Sequence, residues 1–238
     1  YHKVHNKNSK LTCMHLNIHS IPSKVHEIKR MLMDFKRQHI SVDVLLLCET
    51  FINDFNKSQC HLDGYNLVEE HRANKSKGGV AIYVNKKLQF KERNDLKIFK
   101  EGRFESCFIE VICKKKNIVI GEIYRIPGSN EKDFIADYDS LVKKITSENK
   151  EIIIGTDQNL DYLKIHQHSN TSKFLEVNLS QNLIPLVTKP TRVTHTTATL
   201  IDNIYISTAL SSHATSSILL SDLSDHFPCI TCVGENEP

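Results

Sequence analysis

Ile152-Ile153-Ile154-Gly155-Thr156-Asp157-Gln158-Asn159-Leu160-Asp161 begins as a strand and ends as chemistry. Successive β-branched residues favour a pleated, buried segment. The chain then runs through a glycine and presents a carboxylate, an amide and a second carboxylate at alternate positions. The same transition recurs elsewhere. Val44-Leu45-Leu46-Leu47-Cys48 runs into Glu49-Thr50, Met14-His15-Leu16 into Asn17, and Ile118-Val119-Ile120-Gly121-Glu122-Ile123 into Tyr124-Arg125. Apolar strands that each end in a polar residue are how a rigid scaffold assembles a site from separated parts of a chain.

Working outward, the apolar pattern predicts strands at 11–18, 43–49, 79–84, 104–113, 117–125, 151–155, 200–207, 215–220 and 226–233. The basic run Lys114-Lys115-Lys116-Asn117 reads as a hairpin turn between two of them. Helical periodicity places Val25, Ile28, Leu32 and Phe35 on one face after a cap at Ser23. It places Phe134, Tyr138, Leu141, Val142 and Ile145 on another after Ser129-Asn130, with a shorter helix at 172–179. Many strands with few helices between them suggest two packed sheets faced by helices.

The chain has 238 residues, 39% of them hydrophobic and 25% charged, which suits one large globular domain. Residues 1–10 and 234–238 are polar and aperiodic and read as linkers, so that 11–233 is expected to be a domain within a longer protein. A net charge of +3 is too small for a purely electrostatic nucleic-acid-binding module. Seven cysteines without framework spacing, no secretory signal and no membrane-spanning run point to reduced thiols inside the cell. Cys229-Ile230-Thr231-Cys232 lacks the second half of a zinc knuckle, and His166-x-His168 lacks partners at a recognisable spacing. Asp157-x-Asn159-x-Asp161 opens like an EF-hand loop, but Tyr162 stands where that loop needs Gly and His168 where it needs Glu.

Two further elements carry ionisable groups. Ser224-Asp225-His226-Phe227-Pro228 sets a carboxylate beside an imidazole, and Leu200-Ile201-Asp202-Asn203-Ile204 embeds an Asp in an apolar strand, where burial demands a partner. A histidine is the natural one, because an Asp behind an imidazole fixes its tautomer and stabilises its charged form.

With these elements in order, the chain resembles the endonuclease/exonuclease/phosphatase superfamily, which includes DNase I and the apurinic/apyrimidinic endonucleases. Within it the sequence is most similar to the endonuclease domains of non-LTR retrotransposons. The resemblance spans 11–232 and rests on Asn17-Ile18-His19-Ser20, Cys48-Glu49-Thr50, Gly78-Gly79-Val80-Ala81-Ile82-Tyr83, Tyr124-Arg125-Ile126-Pro127, Gly155 to Asn159, Thr199-Leu200-Ile201-Asp202-Asn203-Ile204 and Ser224-Asp225-His226-Phe227-Pro228. The retrotransposon character lies in the Gly-Gly-Val-Ala-Ile-Tyr block, in Pro190-Thr191-Arg192-Val193-Thr194 and in Ile-Asp-Asn-Ile. Two departures stand out. One extra residue separates Gly155 from Asp157, shifting the Asp-x-Asn pair relative to its strand, and His19 occupies a position that is often acidic in repair-type relatives.

The resemblance implies an α/β fold, a four-layer α-β-β-α sandwich of two packed, largely antiparallel sheets, with the site at one edge and Mg²⁺ as cofactor. It implies hydrolysis of DNA phosphodiesters by Asn17, Glu49, Tyr124, Asp157, Asn159, Asp202, Asp225 and His226. Phosphoryl chemistry then suggests the roles. Glu49 suits Mg²⁺, Asn17 and Asn159 hold Glu49 or the phosphate without adding charge, and Asp157 orients and deprotonates the attacking water. His226, backed by Asp202, donates to a phosphate oxygen or serves as the base; Tyr124 and Arg125 face the phosphate, and Asp225 contacts the metal region or orients its neighbours.

Residues 192–199, after Lys189-Pro190, are expected to form a protruding hairpin or loop through which Arg192 and Thr194 meet DNA. The expected partners are double-stranded DNA and a parent polyprotein with a reverse transcriptase, with no membrane contact. The isolated domain is expected to be a monomer, in an intracellular and, from its function, nuclear setting. The alternatives are another phosphoesterase of the superfamily or a decayed nucleic-acid-binding domain. The latter would have lost Glu49, Asp157, Asn159, Asp202 or His226, and the chain retains them all.

Overall fold

The computed structural model describes residues 9–71 and 77–234. In chain order the elements are β1 (Ser9–Asn17), α1 (Ile21–Arg37), β2 (Val44–Cys48), β3 (Tyr65–Glu70), β4 (Val80–Asn85), β5 (Phe90–Glu92), β6 (Ile98–Lys100), β7 (Phe104–Val111), β8 (Ile118–Arg125), α2 (Glu131–Thr146), β9 (Glu151–Asp157), α3 (Ser169–Ser180), β10 (Leu183–Pro185), β11 (Arg192–Val193), β12 (Ala198–Thr199), β13 (Asp202–Ser207), β14 (Ala214–Ile218) and β15 (Cys229–Gly234). One sheet runs β14-β15-β1-β2-β4-β3 and the other β10-β13-β9-β8-β7-β5, with β6 also paired to β7. Both are antiparallel except at β1–β2 and β8–β9.

The period-2 geometry of a strand explains the layers. Along β2, Val44, Leu46 and Cys48 face the opposing sheet, while Leu45 and Leu47 pack with Ile21, Val25 and Ile28 of α1. Along β9, Ile153 faces inward, while Ile152 and Ile154 meet the aromatic cluster of α2 and α3. Strands covered on both faces need continuous apolar runs, which is why these read as Val-Leu-Leu-Leu and Ile-Ile-Ile. In the outer cluster Phe134, Tyr138 and Phe174 are all fully buried, and each contributes about 2–3 kcal/mol by leaving water. The result is the expected four-layer α-β-β-α sandwich.

Several local expectations are corrected. α1 starts at Ile21 after Ser20, which makes no capping side-chain bond, with Pro22 in the first turn, and Ser23 lies inside the helix. Asn130, by contrast, does cap α2, its side chain accepting from the Asp133 amide. The third helix is longer than its periodicity suggested. Strand pairing carries Ser9, Lys10 and Gly234 into the sheet; the rest of both tails lies outside the described residues. The last strand begins only at Cys229, because Pro228 cannot donate to a ladder. Short β3, β5, β6 and β10 lack a clean apolar pattern and were not anticipated. Among the described residues no helix is long and apolar enough to cross a membrane.

Candidate active site

Register brings the strand ends together. In the second sheet Asp157 pairs with Tyr124 on one side and with Asp202 on the other, so three functional groups lie abreast on β8, β9 and β13. With the extra residue after Gly155, β9 still stays in register to Asp157, whose Oδ2 accepts from Asn17. In the first sheet Asn17 pairs with Cys48, which places Glu49 just beyond the edge.

Glu49 adopts φ +48, in the left-handed region that costs a non-glycine residue energy. Its surroundings hold it there. The carbonyls of Cys48, Glu49 and Thr50 accept from Ile18, Ser20 and Ile21, and the Phe51 amide donates to Gly78. Gly79 is indispensable to this clamp: it sits at φ +89, and a Cβ there would lie 2.5 Å from Thr50 Oγ1.

Asn17 links the two halves of the site, its Nδ2 donating at 2.9 Å both to Glu49 Oε1 and to Asp157 Oδ2. The Tyr124 hydroxyl donates to the same Glu49 oxygen at 2.9 Å, and exposed His19 lies 3.2 Å from the other. Burial, then the nearby Glu49 carboxylate, drives the Tyr124 pKa far up, so it remains a hydroxyl. Buried Asn17 Oδ1 has no hydrogen-bond partner among the described residues. An orphaned hard oxygen beside a carboxylate is a donor set that fits a hard divalent cation.

Asp202 and His226 form the expected dyad. His226 Nδ1 lies 2.8 Å from Asp202 Oδ2, and Thr191 Oγ1 donates to that oxygen at 2.6 Å. Burial raises the Asp202 carboxyl, but the His226 charge and the hydrogen bonds outweigh it and hold it below the usual range. Burial would lower His226, yet Asp202 raises it to about 9. Asp157 is pushed up to about 7 by burial and by Asp202. Ligand atoms of Asp157, Asp202 and His226 lie within 4.8 Å of one another, an acidic cluster close enough to attract a cation.

Asn159, at φ +50, donates from its amide nitrogen to the Arg125 carbonyl, while its backbone N–H donates to Asp157 Oδ1. It therefore shapes the loop that aims Asp157. The expectation that Arg125 contacts DNA is corrected. Tyr124 and Arg125 are consecutive in a strand and point to opposite faces, and the Arg125 side chain goes away from the site. It is 3% exposed, donates to the carbonyls of Gln158, Asn159 and Ser129, and lies over Phe134.

Residues 192–199 do form a hairpin, β11–β12, exposed at its tip. Its base is joined to the dyad: Arg192 forms a β-bridge with His226, and the Phe227 amide donates to the Thr191 carbonyl. The Arg192 guanidinium is held by Asp225 Oδ2 at 2.8 and 2.9 Å, which ties Asp225 to the base of the hairpin, where it orients a neighbour. Thr194 Oγ1 accepts from the amides of Thr196 and Thr197 and shapes the tip.

Sequence reasoning passed over His15, Glu122 and Thr191. His15 and Glu122 are fully buried between the sheets, His15 Nδ1 lying 3.0 Å from Glu122 Oε2 and Nε2 3.4 Å from Asp202 Oδ1. The test applied to Asp202, an ionisable residue inside an apolar strand, would have found Glu122.

The family model described as Endonuclease/Exonuclease/phosphatase matches residues 14–226. Among solved structures, the endonuclease domain of TRAS1, a telomere-specific non-LTR retrotransposon, superposes with a TM-score of 0.71 at 13% identity, covering 95% of this chain and 100% of that one. The AP endonuclease LMAP from Leishmania major gives 0.74 at 14%, covering 95% and 88%. The 3'-5' exonuclease NExo from Neisseria meningitidis gives 0.68 at 14%, covering 94% and 100%. No curated protein matches.

Proposed function

This chain belongs to the endonuclease/exonuclease/phosphatase family and is a metal-dependent phosphodiesterase, and from that premise we propose that it nicks double-stranded DNA with Mg²⁺ to prime reverse transcription for a non-LTR retrotransposon. The observation that carries this reading is the meeting of Asn17, Glu49 and Tyr124 with Asp157 and the Asp202–His226 dyad at one edge of the sandwich. A hairpin rooted on that dyad supports a duplex as substrate, and the Gly78-to-Tyr83 and Thr199-to-Ile204 blocks support a retrotransposon origin. In this reading the domain works within a polyprotein that carries a reverse transcriptase, in the nucleus.

Glu49 and Asn17 Oδ1 would hold the cation, which supplies neutralisation of phosphate charge and of the leaving 3'-oxygen. Asp157 orients the attacking water and takes its proton; a group raised to about 7 is poised for that at neutral pH. His226, raised to about 9 and anchored through Nδ1, stays protonated and turns Nε2–H toward a non-bridging oxygen, where charge grows in the transition state. Tyr124 adds a neutral donor beside Glu49.

Purified protein is expected to convert supercoiled plasmid to open circles with Mg²⁺, to stop with EDTA and to resume when Mg²⁺ is restored in excess. Intact plasmid under all three conditions would reject the reading. The hairpin makes a separate prediction. Exchanging residues 193–198 for a short Gly-Ser turn leaves Arg192, Thr191 and the dyad in place, so plasmid nicking should change by less than about fivefold, as ΔΔG‡ stays near or below 1 kcal/mol. The distribution of nicks on an end-labelled duplex should shift, because contacts that fix register on the backbone are gone. An unchanged pattern excludes the hairpin as a specificity element.

A further inference from the structure

The strands that carry the site also carry a second layer behind it. Residues two apart in a strand share a face, so His15 lies behind Asn17 on β1, Glu122 behind Tyr124 on β8, and Gly155 behind Asp157 on β9. Glu122 and Gly155 are register partners. The glycine opens the space: a Cβ at 155 would lie 2.6 Å from Glu122 Oε2 and 3.0 Å from His15 Nδ1. Two ionisable side chains thus occupy the gap between the sheets, where apolar residues would pack at less cost in desolvation.

Their connection runs to the dyad. His15 faces a carboxylate from each ring nitrogen, Glu122 from Nδ1 and Asp202 from Nε2. Asp202 Oδ1 lies between two imidazoles, 3.4 Å from His15 and 3.0 Å from His226, while Oδ2 takes Thr191 and His226. Without a group on the far side of Oδ1, Thr191 at Oδ2 is left, among the described residues, as the one side chain besides His226 that fixes the orientation of that carboxylate. We infer that His15, seated by Glu122, is a positioning residue that holds Asp202 in the orientation that anchors His226. This rests on the phosphodiesterase reading of the same site. His15 touches neither the substrate path nor Glu49; it acts through Asp202.

The test compares two pair replacements, because removing one member alone strands the other in the core. His15→Leu/Glu122→Leu fills the gap with apolar groups and should keep the fold. Its kcat for plasmid nicking is expected to fall by about 10- to 100-fold, the usual effect of loosening a supporting shell, with KM within about twofold. His15→Gln/Glu122→Gln restores a donor facing Asp202 and should recover most of that loss. Proton NMR of the metal-free proteins gives a readout independent of activity. The downfield His226 Nδ1 proton held by Asp202 should be visible in the parent and in the Gln pair, and lost to exchange in the Leu pair. Parental kcat in the Leu pair, or a Gln pair no better than it, would overturn the inference. Should the parent itself fail to nick DNA, the function assignment falls while the NMR comparison still decides the positioning role: a persistent His226 proton in the Leu pair overturns it. If the Leu pair does not fold, His15→Asn/Glu122→Gln, too short to reach Asp202, takes its place with the same expectations.

Discussion

Glu49→Gln is expected to nick supercoiled plasmid about 1,000-fold more slowly than the parent while keeping its fold. The amide retains an oxygen to accept from Asn17 Nδ2 and Tyr124 OH, so the left-handed turn and the clamp around it lose little. What disappears is the negative charge that attracts the cation next to Asn17 Oδ1. Lewis-acid stabilisation is worth several kcal/mol, and about 4 kcal/mol corresponds to that rate ratio. The loss should appear in kcat at saturating DNA, with Mg²⁺ binding weakened in a calorimetric titration and thermal unfolding nearly unchanged. Nicking at the parental rate would remove Glu49 from the chemistry.

The second large effect concerns the dyad. Asp202→Asn and His226→Ala are each expected to lower kcat by about 10³- to 10⁴-fold, the scale seen when the carboxylate behind a catalytic histidine is neutralised. Because the two act as one unit, the double variant should be scarcely slower than His226→Ala alone. Losses that multiply would show independent action. The pH profile supplies the sign. Catalysis requires Asp157 ionised and His226 protonated, so activity should rise as pH passes through about 7 and decline as pH rises through about 9. Burial alone lowers an imidazole, and Asp202 is the chief group opposing it, so Asp202→Asn should move this alkaline limb to lower pH. A limb that stays in place would show that another group sets it.

Most of the predicted strands that match are covered on both faces, where a continuous apolar run leaves few other readings, with the half-exposed edge strand β14 the exception. Short edge strands such as Phe90–Glu92 and Ile98–Lys100 were invisible, because their side chains are half exposed and only pairing with β7 makes them strands. The strand-end residues were legible for the same reason as the strands: polarity begins where burial between sheets stops. Asn130 was legible because a cap is decided within one turn.

By itself the sequence determined the layered α/β architecture, through period-2 and period-3.6 patterns, and placed polar groups at the ends of several apolar strands; that Asn17, Glu49, Tyr124, Asp157, Asp202 and His226 share one site is what the resemblance carried by the ordered short motifs implies. Only the tertiary structure decided where long side chains went. Arg125 sits next to Tyr124 in the chain, yet it turns to the helical face and ties down the loop carrying Asn159. Arg192 meets Asp225, 33 positions away, before it meets anything else. His15, Glu122 and Asp202 come together from β1, β8 and β13 only because the two sheets pack face to face in one register. Local patterns encode which face of a strand is buried; what lies across the gap depends on the partners that the whole fold brings there.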